Sequence, residues 1–289
     1  MVSGPAIISQ ATEAKGRIIR TLVLCIWPIL LKRPAARPAP LLTALTLGYN
    51  GGIGREVRMS NVSELKEKIV RGCRFLYMDG LMDHSGHMSA RIPGTDRALI
   101  NPFSVSRAAL VAEDVVTVDL EGHLVEGKHE PPAETAIHTC IYRARPDVLS
   151  IAHFHPHFAT LFAIAGVPLI PVSSHGAVFG AALPLYMDPD HVTNDEQGQA
   201  VARSLGQSRA VLMRGHGVTV VGESVEACFT GCVYLEENAR RQFFASLLGP
   251  PLAFDEDEIR RVAKSTWKEK SFKKLWDHYE SRARAAGVI

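Results

Sequence analysis

No stretch of this chain of 289 residues is apolar for the roughly 20 residues that a bilayer-spanning helix requires. The apolar run from Thr21 to Leu31 is short, is broken by Pro28 and has basic residues on both sides. No small-residue cleavage site closely follows it, so neither a membrane span nor a secretory signal is expected. Cysteine is sparse and odd in number: Cys25, Cys73, Cys140, Cys228 and Cys232 lack the close paired spacing of a zinc ribbon. Cys228 and Cys232 share one helix face, and buried reduced thiols of a cytoplasmic protein are expected. The chain also lacks a basic stripe. Its 32 basic residues face 30 acidic ones, but eight of the basic residues fall within residues 1–58, which hold only Glu13 and Glu56 as acids. The remainder is mildly acidic, which argues against a nucleic-acid partner. Gly48–Gly54 is rich in glycine but lacks the G-x-G-x-x-G spacing, and no βαβ pattern with a ribose-binding acid follows it, so a dinucleotide site is not expected. There is no internal repeat.

What is present divides at Met59. Residues 1–58, with the Pro/Ala-rich stretch Arg33–Pro40, read as a disordered extension or a mis-assigned upstream start; a basic targeting extension is the alternative. Residues 59–289 read as a single α/β domain with a C-terminal helical tail. Asn61, three before Glu64, is expected to start a helix carrying Ile69, Cys73, Leu76 and Tyr77, stopped by Gly80. Strands are expected at Gly86–Arg91, Ala98–Asn101, Val115–Asp119, Leu149–His155 and Ala210–Met213, with Pro171–Ser173 extended. Pro131-Pro132 sets up a helix through Thr135, His138 and Tyr142. Further helices are expected at Phe158–Ala165, Asn194–Leu205, after Ser224, and in one Lys- and Trp-rich segment closing the chain.

The chemistry concentrates in histidines. His153 and His155 stand at i and i+2 of an expected strand, so they point the same way. His216 lies between Gly215 and Gly217 at the end of another apolar run. These are either three unrelated core and loop residues or three ligands of one metal. Three protein ligands leave a coordination position open, as catalytic sites do. Glu134, at the start of the helix preceding the His153 strand, is either an ordinary first-turn acid or a proton shuttle beside that metal.

In chain order, Pro131-Pro-Ala-Glu134, His138…Tyr142-Arg-Ala-Arg-Pro146, His153-Phe-His155-Pro156 and Arg214-Gly-His216-Gly217 resemble the class II aldolase/adducin family over roughly residues 60–250. The resemblance implies a three-layer α/β/α sandwich with a largely antiparallel central sheet and assembly as a homotetramer. It implies one divalent metal, zinc or manganese, held by His153, His155 and His216. Glu134 is then the proton-transfer residue, touching the metal in some members when substrate is absent. Sugar-phosphate members hold phosphate with a Gly-Asn-x-Ser strand, a Thr-Pro-Ser-Gly turn and a Ser-Ser pair before the glutamate. This chain has Gly86-His87-Met88-Ser89, Asn101-Pro102-Phe103-Ser104 and Pro132-Ala133. Proline and alanine donate no side-chain hydrogen bond, so a phosphorylated sugar is not the expected substrate. The His-for-Asn strand is similar to that of decarboxylases of hydroxylated aromatic or pyridine dicarboxylates in the family.

The expectation is therefore a metal-dependent carbon–carbon lyase acting on a small-molecule carboxylate, a decarboxylase whose metal stabilises an enolate-like charge. An aldolase or dehydratase on a small hydroxy-carbonyl substrate is the first alternative, and a non-catalytic adducin-like scaffold the second. His87, Ser89, Arg91, Phe103, Ser104 and His175 are the expected substrate contacts, with Arg107 a further partner for a carboxylate and His157 outside the ligand set.

Overall fold

The computed structural model describes residues 56–289, with side chains described from residue 62; the extension expected over residues 1–58 lies outside the described residues apart from its last three positions. Helix α1 (Glu56–Met78) begins upstream of Asn61, so that residue is inside the helix and does not start it. Its buried stripe is Ile69, Cys73, Phe75 and Leu76. Gly80 ends the turn with φ +69°, a left-handed conformation that a side chain would resist. Strands β1 (His87–Arg91), β2 (Arg97–Ile100), β3 (Val116–Asp119) and β4 (Leu124–Glu126) follow. Helix α2 (Thr135–Ala144) starts where Thr135 Oγ1 donates to the Pro132 carbonyl at 2.6 Å.

Strand β5 (Ser150–Phe154) runs into helix α3 (His157–Ala165), which Gly166 ends at φ +64°. Strand β6 (Leu185–Tyr186) precedes helix α4 (Asp195–Leu205), capped by the Asn194 side chain accepting from the Gln197 amide. Strands β7 (Ala210–Met213) and β8 (Val218–Gly222) lead to helix α5 (Val225–Leu248), whose N-terminus is capped by Ser224. The single closing helix expected is instead two, α6 (Glu256–Thr266) and α7 (Glu269–Ala285). The chain leaves helical geometry at Trp267 (φ −85°, ψ 89°) and at Lys268, which is extended. Pro171–Ser173 belongs to no strand.

The eight strands form one sheet in the order β4-β3-β2-β1-β5-β8-β7-β6. All neighbours are antiparallel except β6 and β7. Alternation along each strand feeds two cores. Met88, Ala90, Ala152, Phe154, Val218 and Val220 face α1, α3, α5 and α7. Ala98, Ile100, Ile151, Val211 and Val221 face α2 and α4. The result is the expected three-layer α/β/α arrangement with a largely antiparallel sheet. On the first face Phe75, Phe229 and Trp276 meet edge-to-face at centroid distances of 5.2 to 5.8 Å. On the second, α2 and α4 approach so closely that a Cβ on Gly198 would lie 2.5 Å from the Ala136 carbonyl oxygen. No helix among the described residues is long and apolar enough to cross a membrane.

Candidate metal centre

Three adjacent strands present a row of polar side chains on the α2 face. His87 of β1 is directly opposite His153 of β5, and His153 is directly opposite Thr219 of β8. All three are buried. His155 lies just past the end of β5. His216 sits in the tight turn joining β7 to β8, closed by Met213 N donating to the Gly217 carbonyl at 2.8 Å and opened by Gly215 at φ +66°. Because β8 pairs with β5, this turn carries His216 over the end of the His153 strand. Gly217 permits the approach: a Cβ there would lie 2.5 Å from the Phe154 carbonyl oxygen and 2.6 Å from His155 Cδ2.

The consequence is a histidine cluster. His153, His155 and His216 each offer a ring nitrogen, all within 4.8 Å of one another. Rings of His153 and His216 are 4.9 Å apart, and those of His155 and His216 stack at 5.3 Å. The far sides of two rings are held: His153 Nδ1 lies 3.2 Å from Thr219 Oγ1, and His155 Nδ1 lies 3.1 Å from Asp83 Oδ2. A histidine anchored through Nδ1 turns Nε2 toward a cation, the usual support of a metal-bound imidazole. His153 Nε2 and both His216 ring nitrogens are buried without a hydrogen-bond partner among the described residues. Unpartnered buried nitrogens are costly unless something occupies the space between them. This donor set therefore fits a divalent metal.

Glu134 closes the cluster from the N-terminus of α2. Its carboxylate oxygens lie 3.6 Å from His153 Nε2, 3.5 Å from His216 Nε2 and 3.7 Å from His87 Nε2, and one accepts from the Val192 amide at 3.1 Å. Burial pushes this carboxyl up, but the approach of the His216 and His87 ring nitrogens at 3.5 and 3.7 Å, with the field of the surrounding histidines, outweighs it and holds it well below the ordinary range. Burial also lowers His87, His138 and His153, keeping them neutral imidazoles. Glu134 is thus an ionised base beside the buried neutral imidazoles of His87 and His153.

The expected substrate contacts divide. His87 is in the site, with its Nε2 turned to Glu134. Ser89 is not available to substrate: it is fully buried and its Oγ is bonded to His138 and Tyr142. Arg91 is also corrected, since its guanidinium donates to the Tyr142 carbonyl and covers that ring at 4.9 Å. Strand alternation explains both: residues 89 and 91 share the face of His87 but lie about 7 Å further along for each pair, under α2. Arg107 is buried and donates to the Gly86 and Val105 carbonyls at 2.7 and 2.5 Å, so it holds a loop. His175 pairs with Glu237 and stacks on Tyr234 at 3.8 Å, outside the cluster. Phe103 and Ser104 are exposed on the loop after β2. His157 is exposed at the start of α3. Sequence reading missed Asp83, Thr219 and exposed His191, whose Nδ1 lies 3.6 Å from Glu134 Oε1. The polar Asp188-Pro-Asp-His191 loop just ahead of the α4 cap was the available signal for His191.

Fold and cluster together define an α/β protein whose sheet end carries three converging imidazoles and a buried carboxylate. A family model described as Class II Aldolase and Adducin N-terminal domain matches residues 67–243, and the chain belongs to that family. It is 32% identical over 175 residues to the 3,4-dihydroxyphthalate decarboxylase of Arthrobacter keyseri, covering 56% of this chain and 70% of that protein. It is 27% identical over 165 residues to the 5-deoxy-D-ribulose 1-phosphate aldolase of Bacillus thuringiensis serovar kurstaki, covering 57% and 77%. Among solved structures, an L-fuculose 1-phosphate aldolase from Glaciozyma antarctica PI12 has the same fold, with TM-score 0.70 and 23% identity over 82% of this chain and 95% of that one. The similarity to a hydroxyaromatic decarboxylase agrees with the resemblance carried by the His87 strand.

Proposed function

We propose that the protein is a metal-dependent carbon–carbon lyase that decarboxylates a non-phosphorylated hydroxyaromatic or oxo carboxylate. The observation that carries this reading is the cluster itself: Nδ1-anchored His153 and His155 and unpartnered His216 converge beside an ionised Glu134. His153, His155 and His216 would hold one divalent ion, zinc or manganese, which when bound supplies Lewis-acid stabilisation of negative charge on a substrate oxygen. Glu134 is the residue that moves a proton, since it is ionised and its carboxylate lies 3.5 to 3.7 Å from ring nitrogens of His216, His153 and His87. His87 presents a ring nitrogen beside it.

Against a phosphate stands the local chemistry: Pro132 and Ala133 occupy the segment before Glu134, and exposed Phe103 follows Pro102. Likeness to the dihydroxyphthalate decarboxylase supports the carboxylate reading, and likeness to the ribulose-phosphate aldolase supports aldol cleavage as the second reading. Assembly as a tetramer in the cytoplasm belongs to the same proposal. Product analysis tests it: hydroxylated aromatic acids and β-oxo acids are incubated with the metal-loaded protein in heavy water. Carbon dioxide release with deuterium at the vacated carbon is expected. Efficient cleavage of a sugar phosphate, with no carbon dioxide from any acid tested, would replace it with the aldolase reading.

A further inference from the structure

His87 ends a buried chain of hydrogen bonds that runs away from the metal cluster into the second core. His87 Nδ1 lies 2.7 Å from His138 Nε2, His138 Nδ1 lies 2.6 Å from Ser89 Oγ, and Ser89 Oγ lies 2.7 Å from the Tyr142 hydroxyl. All four residues are at most 2% exposed. Each neutral imidazole has one N–H and one lone pair, so the protons of the whole chain must run in one of two directions.

The two ends decide which. If protons run inward, His87 and His138 carry theirs on Nδ1, and Ser89 donates to Tyr142. The tyrosine proton then has no acceptor among the described residues, and His87 turns a lone pair toward the Glu134 carboxylate at 3.7 Å. If they run outward, Tyr142 donates to Ser89, Ser89 to His138 Nδ1, and His138 Nε2–H to His87 Nδ1. Every donor inside the chain is then paired, and the one left over, His87 Nε2–H, has no hydrogen-bond partner but faces the Glu134 carboxylate at 3.7 Å. Either direction leaves one buried donor without a hydrogen bond, at a cost of about 1–3 kcal/mol. The outward direction leaves it facing a carboxylate, which attracts an N–H and repels a lone pair, so the outward direction wins.

We infer that Tyr142, Ser89 and His138 fix His87 as the Nε2–H tautomer, making it a hydrogen-bond donor to a substrate carboxylate and excluding it as a fourth metal ligand. The exclusion matters because His87, Glu134 and His153 also form a group close enough to hold a cation. The donor role fills a need, since Arg91 and Arg107 are both engaged with backbone carbonyls. His138, Ser89 and Tyr142 are positioning residues. The substrate half of the inference rests on the carboxylate reading above; the tautomer half does not.

Long-range proton–nitrogen correlation spectra of the full chain labelled with nitrogen-15 histidine read the tautomers directly, with and without zinc. His87 and His138 are identified by the signals lost in His87→Gln and His138→Gln. Both rings are expected as Nε2–H, and zinc is expected to move the nitrogens of His153, His155 and His216 while His87 keeps its Nε2 proton. An Nδ1–H signal from either ring, or loss of the His87 Nε2 proton on adding zinc, overturns the inference whatever the enzyme's reaction. In steady-state kinetics with the carboxylate found to turn over, His87→Leu should raise KM about ten- to hundredfold, as for loss of a hydrogen bond to a charged group. His87→Gln, which keeps an N–H donor, should restore most of it. A KM unchanged in His87→Leu, with the Nε2–H tautomer observed, would overturn the substrate role alone.

Discussion

Asp83→Asn separates the two tasks of one carboxylate. Asp83 Oδ1 accepts from the amides of Ser85 and Gly86 at 2.8 and 3.0 Å and so shapes the turn ahead of β1, while both its oxygens face His155 Nδ1, at 3.2 and 3.1 Å. Asparagine keeps an acceptor for the two amides but places an NH2 group opposite the imidazole N–H. His155 then keeps only the shared Oδ1 at 3.2 Å and meets an NH2 group in place of a charged oxygen, which favours tilting the ring or moving its proton to Nε2, the nitrogen needed for the metal. Replacing such a supporting partner weakens metal affinity by roughly 10–100-fold, or about 1.4–2.7 kcal/mol. The Asp83 side chain is 44% exposed, so solvent screens the pair and the lower end, about tenfold, is expected. Competition with a chromophoric chelator measures the affinity, and thermal unfolding of the metal-free protein should show little change. Affinity equal to wild type would refute the claim that Asp83 orients a ligand.

Glu134→Gln should retain the metal and lose about 10²–10⁴-fold in turnover, because an amide keeps the shape but takes up no proton; metal content and initial rates check this. Gly217→Ala should lose metal binding and much stability, since its Cβ meets both the Phe154 carbonyl and the His155 ring; normal metal content would contradict the packing argument. Glu236 accepts from the Phe158 and Ala159 amides at 2.8 and 2.9 Å and caps α3 from α5, so Glu236→Ala should destabilise the fold by about 1–2 kcal/mol, measured by denaturant unfolding. Burial raises the Glu236 carboxyl despite those amides, so this group's contribution falls as pH rises from the unfolded toward the folded pKa; Glu236→Gln should flatten that slope. Removing residues 1–58 should leave turnover intact; loss of assembly or solubility would show that the extension is part of the structure.

The helices and most strands could be read from the chain because their signals are local. Asn194 and Ser224 do cap their helices, Gly166 does end α3, and the His153 strand is buried on both faces. Strand β8 was missed because Val218–Gly222 follows the Gly215–Gly217 turn without punctuation, and β6 is only a residue pair. The histidine cluster was visible through i, i+2 spacing and the glycines around His216. Its support was not: Asp83 is 72 residues from His155, and Thr219 meets His153 only through strand register. Ser89 and Arg91 were misjudged because alternation gives the face of a strand but not the depth at which a helix covers it.

The most direct test of the central claim is metal stoichiometry. The full chain is stripped with chelator, incubated with zinc or manganese, freed of excess by gel filtration, and its metal measured per chain by atomic spectrometry, beside His153→Ala, His155→Ala and His216→Ala variants shown to be folded. One equivalent per wild-type chain, and little in each variant, is the result expected. A wild-type protein that takes up no divalent ion, or folded variants that keep a full equivalent, would contradict it.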